Sequence, residues 1–347
     1  MISELDDATI SARLLGVLRA RTAAAALDYA VPLTRIAGGF DTRTFTFALR
    51  GAPDGLAGPL VLRLHRPDAD PGRSRLEGAV HAAVAAAGYP CPPALLVGGV
   101  DEGLGGGFLV MPRVPGRVML DALLGPRLIW MPDMLARLHL GLHVLDPAPV
   151  RRTAAAAGFD PARLSVSDDL ANAAREVDRA RLDGLHAALE WLVARCPPSP
   201  RDPVVCHGDF HPFNILVADG RPSGVIDWAN VRLAEPAYDV GATIALLSQG
   251  PLEVPSGLGA AAAVGRRLLV AAYRHTYLRG RLLEPDRLRY FEALRTFGFL
   301  LEAQLHRQAA AGVIPARSKP TAFAGAEVRR GALRRFHALT GVLPRDG

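Results

Sequence analysis

The sequence predicts an α+β protein whose strands lie mostly in the first third of the chain and whose helices follow. Residues 44–49 alternate threonine or alanine with phenylalanine or leucine, which is the two-residue period of a half-buried strand. Beyond residue 116, apolar residues recur at the three- and four-residue spacing of amphipathic helices, as in residues 294–305. Residues 204–238 depart from this pattern, because three short apolar runs alternate there with polar loops.

The composition of the 347 residues is typical of a soluble globular protein, with 50% hydrophobic and 21% charged residues. This length accommodates two domains or one large two-lobed domain. The formal net charge is +6, but Lys319 is the only lysine and arginine supplies the other basic side chains. That bias indicates genome-wide composition, and no basic stripe interleaved with aromatic residues predicts nucleic-acid binding.

Several features predict a cytoplasmic protein without a membrane partner. The three cysteines, Cys91, Cys196 and Cys206, lack the close spacing of a metal site, so we expect reduced thiols. The chain begins with acidic residues, which is the reverse of a signal peptide. Arg266 and Arg267 interrupt the longest apolar stretch, so we expect no membrane-spanning helix.

The chain opens with an amphipathic helix over residues 10–26, followed by strands. A glycine pair at residues 38–39 precedes the alternating strand of residues 44–49 and marks the tip of a hairpin. Glycines at such a tip allow backbone N–H groups to approach phosphate oxygens closely. A glycine pair by itself predicts only a turn.

The next segments place two charged residues on neighbouring elements. Residues 59–64 have the apolar pattern of a strand that carries Arg63. Residues 73–88 have helical spacing and carry Glu77, which is either a partner for a cation or an ordinary exposed glutamate. Two further strands are expected within residues 92–111.

The helical part of the chain contains a pair of histidines that could either ligate a metal or pack in the core. Residues 131–144 form a helix in which His139 and His143 lie four positions apart, a spacing that suits either metal ligation or packing. We favour packing or a structural hydrogen bond, because the nearby sequence contains no acidic third ligand. A charged helix follows over residues 170–195, and a proline-rich segment ends it.

Residues 204–238 carry the polar side chains of a candidate catalytic site. An apolar run leads into the loop His-Gly-Asp-Phe-His-Pro-Phe-Asn at residues 207–214, and a second run ends at the turn of residues 219–220. The third run ends on Asp227. Asp209, Asn214 and Asp227 therefore lie at the ends of short strands, and two carboxylates with a carboxamide suit a general base beside a cation site.

The loop and the Val-Ile-Asp-Trp motif at residues 225–228 resemble the aminoglycoside phosphotransferase and choline kinase superfamily, the small-molecule relatives of protein kinases. The resemblance implies a protein-kinase-like bilobal fold. Residues 1–115 would form an N-lobe with a small antiparallel sheet and one main helix, and residues 116–347 a mostly helical C-lobe with the acceptor pocket.

The same resemblance implies a role for each matching residue. Asp209 is expected to be the catalytic base, Asn214 and Asp227 to hold Mg²⁺, and His207 and Asp239 to support the loop. The residues that it assigns to the nucleotide are Gly39, Asp41, Thr42, Arg63, Glu77, Met111 and Arg113. Arg63 replaces the lysine that is usual in kinases, and Glu77 is expected to orient it.

The implied activity is transfer of the γ-phosphate of ATP or GTP to a hydroxyl of a small molecule, with Mg²⁺ as cofactor, in a monomer or homodimer. The acceptor is an antibiotic of the aminoglycoside or macrolide type, or a metabolite. One alternative is a catalytically silent nucleotide-binding protein, which the arginine at position 63 favours. Another is a metal-dependent hydrolase that uses His207, Asp209 and His211, since imidazoles and a carboxylate suit zinc or iron.

Overall fold

The computed structural model of this chain describes residues 5–36, 42–123, 125–250, 259–314 and 325–345. Gly39 and Asp41 lie outside the described residues. The chain divides into two compact units. The first contains Met1–Gly116, Ala148–Pro161 and Ser223–Ala229, and the second contains Arg117–Pro147, Ala162–Pro222 and Asn230–Gly347. The predicted division between residues 115 and 116 stays a prediction.

The first unit contains a five-stranded antiparallel sheet in the order β1-β2-β3-β5-β4. Its strands are β1 (Asp28–Ile36), β2 (Thr42–Arg50), β3 (Pro59–His65), β4 (Leu96–Gly98) and β5 (Phe108–Pro112). The alternation that predicts β2 is confirmed, because its phenylalanines are buried. In β3 the leucines are likewise buried, which leaves the intervening residues for the other face of the sheet.

Helices complete the first unit on both sides of this sheet. Helix α1 (Asp7–Thr22) begins at Asp6, whose carboxylate accepts a hydrogen bond from the backbone N of Thr9 at 2.7 Å. The apolar side chains of α1 share a core with those of β2 and β3. Helix α2 (Arg73–Ala86) carries Glu77 and packs against α5 (Ala148–Ala156).

The second unit is mostly helical. Its helices are α3 (Met119–Ala122), α4 (Met131–Leu142), α6 (Val166–Arg179), α7 (His186–Ala194), α8 (Pro236–Gln249), α9 (Gly259–Gly280), α10 (Pro285–Ala310) and α11 (Ala326–Thr340). One apolar core joins α6, α7, α8, α10 and α11, and α4 packs against α9. The single charged helix predicted over residues 170–195 is wrong, because the chain breaks it into α6 and α7 around Arg181, which has a φ of 50°.

Short strands flank the candidate loop of residues 207–214. The strand β6 (Arg117–Val118) pairs with β8 (Ile215–Ala218), and β7 (Val204–Cys206) pairs with β10 (Arg232–Ala234). A turn at Asp219 and Gly220, both with positive φ, leads from β8 into β9 (Arg221–Val225), as the sequence predicts. The α+β class, with its antiparallel sheet and helical remainder, is confirmed. No helix in the described ranges is long and apolar enough to span a bilayer.

Candidate active site

The loop between β7 and β8 is fixed through its backbone by one buried carboxylate. Asp239, in the first turn of α8, accepts hydrogen bonds from the backbone N of His207 at 2.6 Å and of Gly208 at 2.8 Å. Gly208 has a φ of 78°, and a Cβ there would lie 2.2 Å from the carbonyl oxygen of Asn230, so only glycine fits this turn. Asp239 lies after the N-cap position of α8, which is Glu235, and its carboxylate supports the loop.

Two histidines and two tyrosines surround Asp239. The Nε2 atoms of His139 and His143 lie 3.0 and 3.4 Å from Oδ2 of Asp239. Their Nδ1 atoms contact the hydroxyls of Tyr273 at 2.7 Å and Tyr277 at 2.6 Å. All five side chains are buried. Within the described part of the chain, His139, His143 and Asp239 are the one group of three with metal-ligand spacing.

We assign this cluster to support of the loop, because both oxygens of Asp239 already accept backbone N–H groups. Burial would raise the pKa of Asp239, but His139 and His143 outweigh it and hold that pKa well below its usual range. Burial, aided by His139, lowers the pKa of His143 to about 4, so this ring is neutral at pH 7. The sequence provided no acidic partner for the histidines, because Asp239 lies 96 residues beyond His143.

Asp209 lies on this loop between three polar partners. Its Oδ1 forms an ion pair with the guanidinium of Arg295 on α10 at 2.6 Å. Its Oδ2 lies 3.3 Å from Nε2 of His211 and accepts a hydrogen bond from Nδ2 of Asn214 at 3.1 Å. Burial would raise the pKa of Asp209, but His211 and Arg295 outweigh it, so the pKa lies below its usual range. The side chain is therefore a carboxylate at neutral pH.

Asn214 ends the loop in a short 3₁₀ turn. Its Nδ2 also donates to the backbone carbonyl of Asp209 at 2.9 Å. Both contacts with Asp209 use the amide nitrogen, which directs this end of the carboxamide towards the loop. The carboxamide oxygen takes part in neither contact and is a hard ligand of the kind that Mg²⁺ prefers.

In the first unit, Glu77 is buried and holds a cation. Its Oε1 lies 2.9 Å from Nε of Arg63, and its Oε2 lies 3.1 Å from Nε2 of His65. Nε2 of His81 is 3.8 Å from Oε1. Burial would raise the pKa of Glu77, but Arg63 and the two histidines hold it well below its usual range. The expected pairing of Arg63 with Glu77 is present, and the alternative of an exposed glutamate is wrong.

Arg63 also contacts the carboxylate that ends the third apolar run. Its Nη2 donates to Oδ1 of Asp227 at 2.6 Å. Asp227 follows β9 and has a φ of 66°, a conformation that non-glycine residues rarely adopt and that is often found at functional sites. Arg63 therefore bridges two carboxylates, which a planar guanidinium does more readily than an ammonium group.

The remaining candidate residues lie on the sheet. Thr42 is buried at the start of β2, opposite His65 of β3. Met111 is buried on β5, and the backbone N of Arg113 donates to the carbonyl of Pro59 at 2.9 Å. The structure thus brings Arg63, Glu77 and Asp227 together in the first unit. In the second it brings together His207, Asp209, Asn214 and Asp239.

The sequence did not identify Arg295 as a site residue. It lies 86 positions beyond Asp209, in a helix with several other arginines, so no local pattern distinguishes it. Only the packing of α10 beside the loop reveals the contact.

The fold and the Asp209 loop agree with the class of protein that a family model identifies, the phosphotransferases. The model of the phosphotransferase enzyme family matches residues 32–291. The chain therefore belongs to this family, and the resemblance stated from residues 207–228 is confirmed.

Solved structures share the fold at low sequence identity. A candidate aminoglycoside phosphotransferase from Ralstonia eutropha JMP134 is 19% identical, with 95% of each chain covered and a TM-score of 0.61. A thermostable mutant of aminoglycoside phosphotransferase APH(4)-Ia, in a ternary complex with ADP and hygromycin B, is 17% identical, with 94% of this chain and 98% of that chain covered and a TM-score of 0.55. Macrolide 2′-phosphotransferase MphH from Brachybacterium faecium is 20% identical, with 96% and 99% covered and a TM-score of 0.54.

One curated relative matches part of the chain. Acyl-CoA dehydrogenase family member 11 of Gallus gallus is 28% identical over 209 residues, which cover 56% of this chain and 24% of that protein. The match thus spans about a quarter of the length of the relative.

Proposed function

We propose that this protein transfers the γ-phosphate of ATP or GTP to a hydroxyl of a small molecule, with the assistance of Mg²⁺. The observation that carries the proposal is the ionised carboxylate of Asp209 on a loop whose backbone N–H groups bind the buried Asp239. Phosphoryl transfer requires mainly positioning and charge stabilisation, and a rigid loop with one oriented carboxylate meets the first requirement.

Asp209 is the proposed catalytic residue. Its carboxylate accepts a hydrogen bond from the acceptor hydroxyl and directs the hydroxyl oxygen at the γ-phosphorus. A bond forms between these two atoms, the bond to the bridging oxygen breaks, and the nucleoside diphosphate leaves as the hydroxyl proton passes to Asp209. A positioned base of this kind contributes about 10²–10⁴-fold in rate. Its lowered pKa makes it a weak base, which suits orientation of the hydroxyl more than early proton removal.

Arg63 is the proposed anchor of the nucleotide phosphates, with Glu77 holding its guanidinium in place. The buried histidines beside Glu77 support this role, since they keep its carboxylate charged. Residues proposed to complete the nucleotide site are Gly39, Asp41, Thr42, Met111 and Arg113. A cytoplasmic location and a monomeric or homodimeric state stay predictions.

Asn214 and Asp227 are the proposed ligands of Mg²⁺. The donor chemistry fits, because a carboxamide oxygen and a carboxylate are both hard oxygen ligands. The amide nitrogen of Asn214 is directed at Asp209, which leaves its oxygen available, and the carboxylate of Asp227 already contacts one cation, Arg63. Mg²⁺ would neutralise negative charge on the phosphates.

The acceptor is proposed to be an antibiotic or a metabolite. Neighbours named as aminoglycoside and macrolide phosphotransferases support the first possibility. The hydrolase alternative is less well supported, because His207 is buried and its Nδ1 accepts a hydrogen bond from the backbone N of Asp209, which suits support of the loop.

The test is transfer of labelled γ-phosphate from ATP and from GTP to a panel of hydroxyl compounds, with and without chelator. Asp209→Ala serves as the inactive control, and metal content is measured on protein purified without chelator. The proposal expects acceptor-dependent transfer that chelator abolishes and Asp209→Ala lacks. Stoichiometric zinc with hydrolysis of the panel would support the hydrolase alternative. Nucleotide binding without any phosphoryl transfer would support the alternative of a catalytically silent nucleotide-binding protein.

A further inference from the structure

The carboxylate of Asp209 is paired with a cation that comes from a different element. Nη2 of Arg295, on α10, lies 2.6 Å from Oδ1 of Asp209. The other oxygen of Asp209 contacts the loop itself, through His211 and Asn214. Arg295 therefore contacts the carboxylate oxygen that the loop itself does not contact, and under the proposed function this oxygen accepts the acceptor hydroxyl.

Arg295 has more N–H donors than its contact with Asp209 uses. A guanidinium has five N–H donors in a fixed fork, and the contact with Asp209 uses one nitrogen. Its buried Nε has no hydrogen-bond partner among the residues that the structure describes. The guanidinium lies over the ring of Phe299, 5.2 Å from its centroid, and 28% of the side chain is exposed. A planar cation that is held by an aromatic face and still has free donors suits an oxyanion.

Two acidic residues of the second unit, Asp169 and Glu292, are already paired with arginines. Asp169 accepts from Nε of Arg232 at 2.8 Å and from the hydroxyl of Tyr238 at 3.0 Å. Glu292, one turn before Arg295, accepts from Nε of Arg335 at 2.6 Å. These carboxylates would have to lose a partner to bind a polycation. The charged side chain that contacts Oδ1 of Asp209 is the cation Arg295, which is unfavourable for an aminoglycoside and favourable for an anion.

We propose that Arg295 binds an oxyanion of the acceptor, so that the acceptors are hydroxyl compounds with a carboxylate or phosphate a few bonds from the reacting hydroxyl. This inference rests on the proposed function of Asp209. The oxyanion of the acceptor replaces Asp209 as the partner of Arg295, and Oδ1 of Asp209 then becomes free to accept the hydroxyl. An acceptor without an anionic group has to break the ion pair without replacing it, which selects against neutral and cationic compounds.

The first test measures binding, so it requires no knowledge of the natural acceptor. Ligand-detected NMR with the full chain compares two matched pairs of probes, glycerate against glyceramide and glycerol phosphate against glycerol, with hygromycin B as the polycation. The variants are Arg295→Gln, Arg295→Lys and the control Arg335→Gln, which breaks a different ion pair to the same helix. Circular dichroism and thermal unfolding establish that each variant is folded.

We expect at least one anionic probe to bind about tenfold or more tightly than its neutral counterpart, which is the contribution of a charge-assisted hydrogen bond. Arg295→Gln should abolish this preference, Arg295→Lys should retain part of it, and Arg335→Gln should leave it unchanged. Whether glycerate or glycerol phosphate shows the larger preference distinguishes a carboxylate from a phosphate. Four results would overturn the proposal: equal binding of charged and neutral probes, undetectable binding of both anions at millimolar concentration, tighter binding of hygromycin B, or an unchanged preference in Arg295→Gln.

The second test uses turnover and separates this inference from the proposed function. Where an anionic probe is phosphorylated, Arg295→Gln should raise its KM by about tenfold with a smaller change in kcat, and should affect the neutral counterpart less. Arg295-dependent anion binding without any phosphoryl transfer would refute the proposed function and leave the anion site intact. Phosphoryl transfer that prefers neutral acceptors would support the proposed function and refute the anion site.

Discussion

Two buried carboxylates, Glu77 in the first unit and Asp239 in the second, perform related tasks by different means. Each is almost completely buried and each contacts two histidines. Glu77 fixes a side chain, because its main partner is the guanidinium of Arg63. Asp239 fixes a main chain, because it accepts two consecutive backbone N–H groups.

The two carboxylates differ in whether their partners keep another acceptor when the carboxylate is removed. The side chain of Arg63 keeps Asp227 as a second partner if Glu77 is removed. The two backbone N–H groups that contact Asp239 are held in a turn that requires Gly208. An unsatisfied buried backbone donor is costly and cannot rotate towards another acceptor. Removal of Asp239 should therefore reduce stability more than removal of Glu77, whereas removal of Glu77 should mainly reduce nucleotide affinity.

The largest expected effect is that of Asp239→Ala. Removing this carboxylate leaves two backbone donors and two histidines without their acceptor, and we expect a loss of about 5 kcal/mol in the free energy of unfolding. Urea denaturation measures it. The matched control is Asp286→Ala, because Asp286 is an exposed aspartate in the first turn of α10 and should change stability by less than about 0.5 kcal/mol. Equal effects of the two substitutions would contradict the assigned role of Asp239.

A smaller effect on stability is expected for Glu77→Gln. The substitution preserves the shape of the side chain but leaves Arg63 with one carboxylate, so we expect a loss of about 3 kcal/mol. Nucleotide affinity, measured by calorimetry, should fall as well, because the guanidinium is no longer held. Glu190→Gln, at an exposed glutamate on α7, is the control. A stability loss larger than that of Asp239→Ala would reverse the comparison.

Arg63→Lys tests whether the guanidinium is required to bridge Glu77 and Asp227. An ammonium group is a point charge and does not bridge Glu77 and Asp227 as a planar fork does. We expect a loss of about 1 kcal/mol in unfolding free energy, together with weaker nucleotide binding. If the lysine that is usual in kinases improved nucleotide binding here, the arginine would not be the proposed phosphate anchor.

The two clusters should also differ in the sign of their pH dependence. Burial would lower the pKa of His81, but Cys91 and Glu77 raise it to about 10. Its contribution to stability is therefore complete below its unfolded value of 6.5 and is lost as the pH rises towards 10. The pKa of His143, which faces His139, Asp239 and Arg281, is lowered to about 4, so its contribution is present above 6.5 and is lost as the pH falls towards 4.

Urea denaturation of His81→Gln and His143→Gln as a function of pH measures this difference. The destabilisation caused by His81→Gln should shrink from pH 6.5 to 10. That caused by His143→Gln should shrink from pH 6.5 to 4. Changes in the same direction for both variants would show that the two clusters do not differ in charge as described.

The elements of this site that the sequence predicted are those set by local pattern. The loop of residues 207–214, the turn at residues 219–220 and the placement of Arg63 on a strand all follow from residue types over a short window. The pairing of Arg63 with Glu77 was reached through the family resemblance rather than from the spacing alone. The break between α6 and α7 was missed, although the intervening residues include Asp183 and Gly184, a pair that is typical of turns.

The contacts that the sequence did not predict join distant helices. His139 and His143 meet Tyr273 and Tyr277 across 134 positions, and only the packing of α4 against α9 decides which residues face each other. Arg295 reaches Asp209 in the same way, from one of several arginines on α10. Pairings of this kind depend on tertiary packing, for which a single sequence carries no periodic signal.

The most direct test of the central claim measures two properties of Asp209→Asn. Nucleotide affinity is measured by calorimetry with Mg²⁺, and phosphoryl transfer to an accepted hydroxyl compound is followed by phosphorus NMR. Because Asp209 is proposed to act on the acceptor hydroxyl, we predict unchanged nucleotide affinity and a rate reduced by about 10²–10⁴-fold. A variant that transfers phosphate at the wild-type rate would contradict the assignment of Asp209 as the catalytic residue.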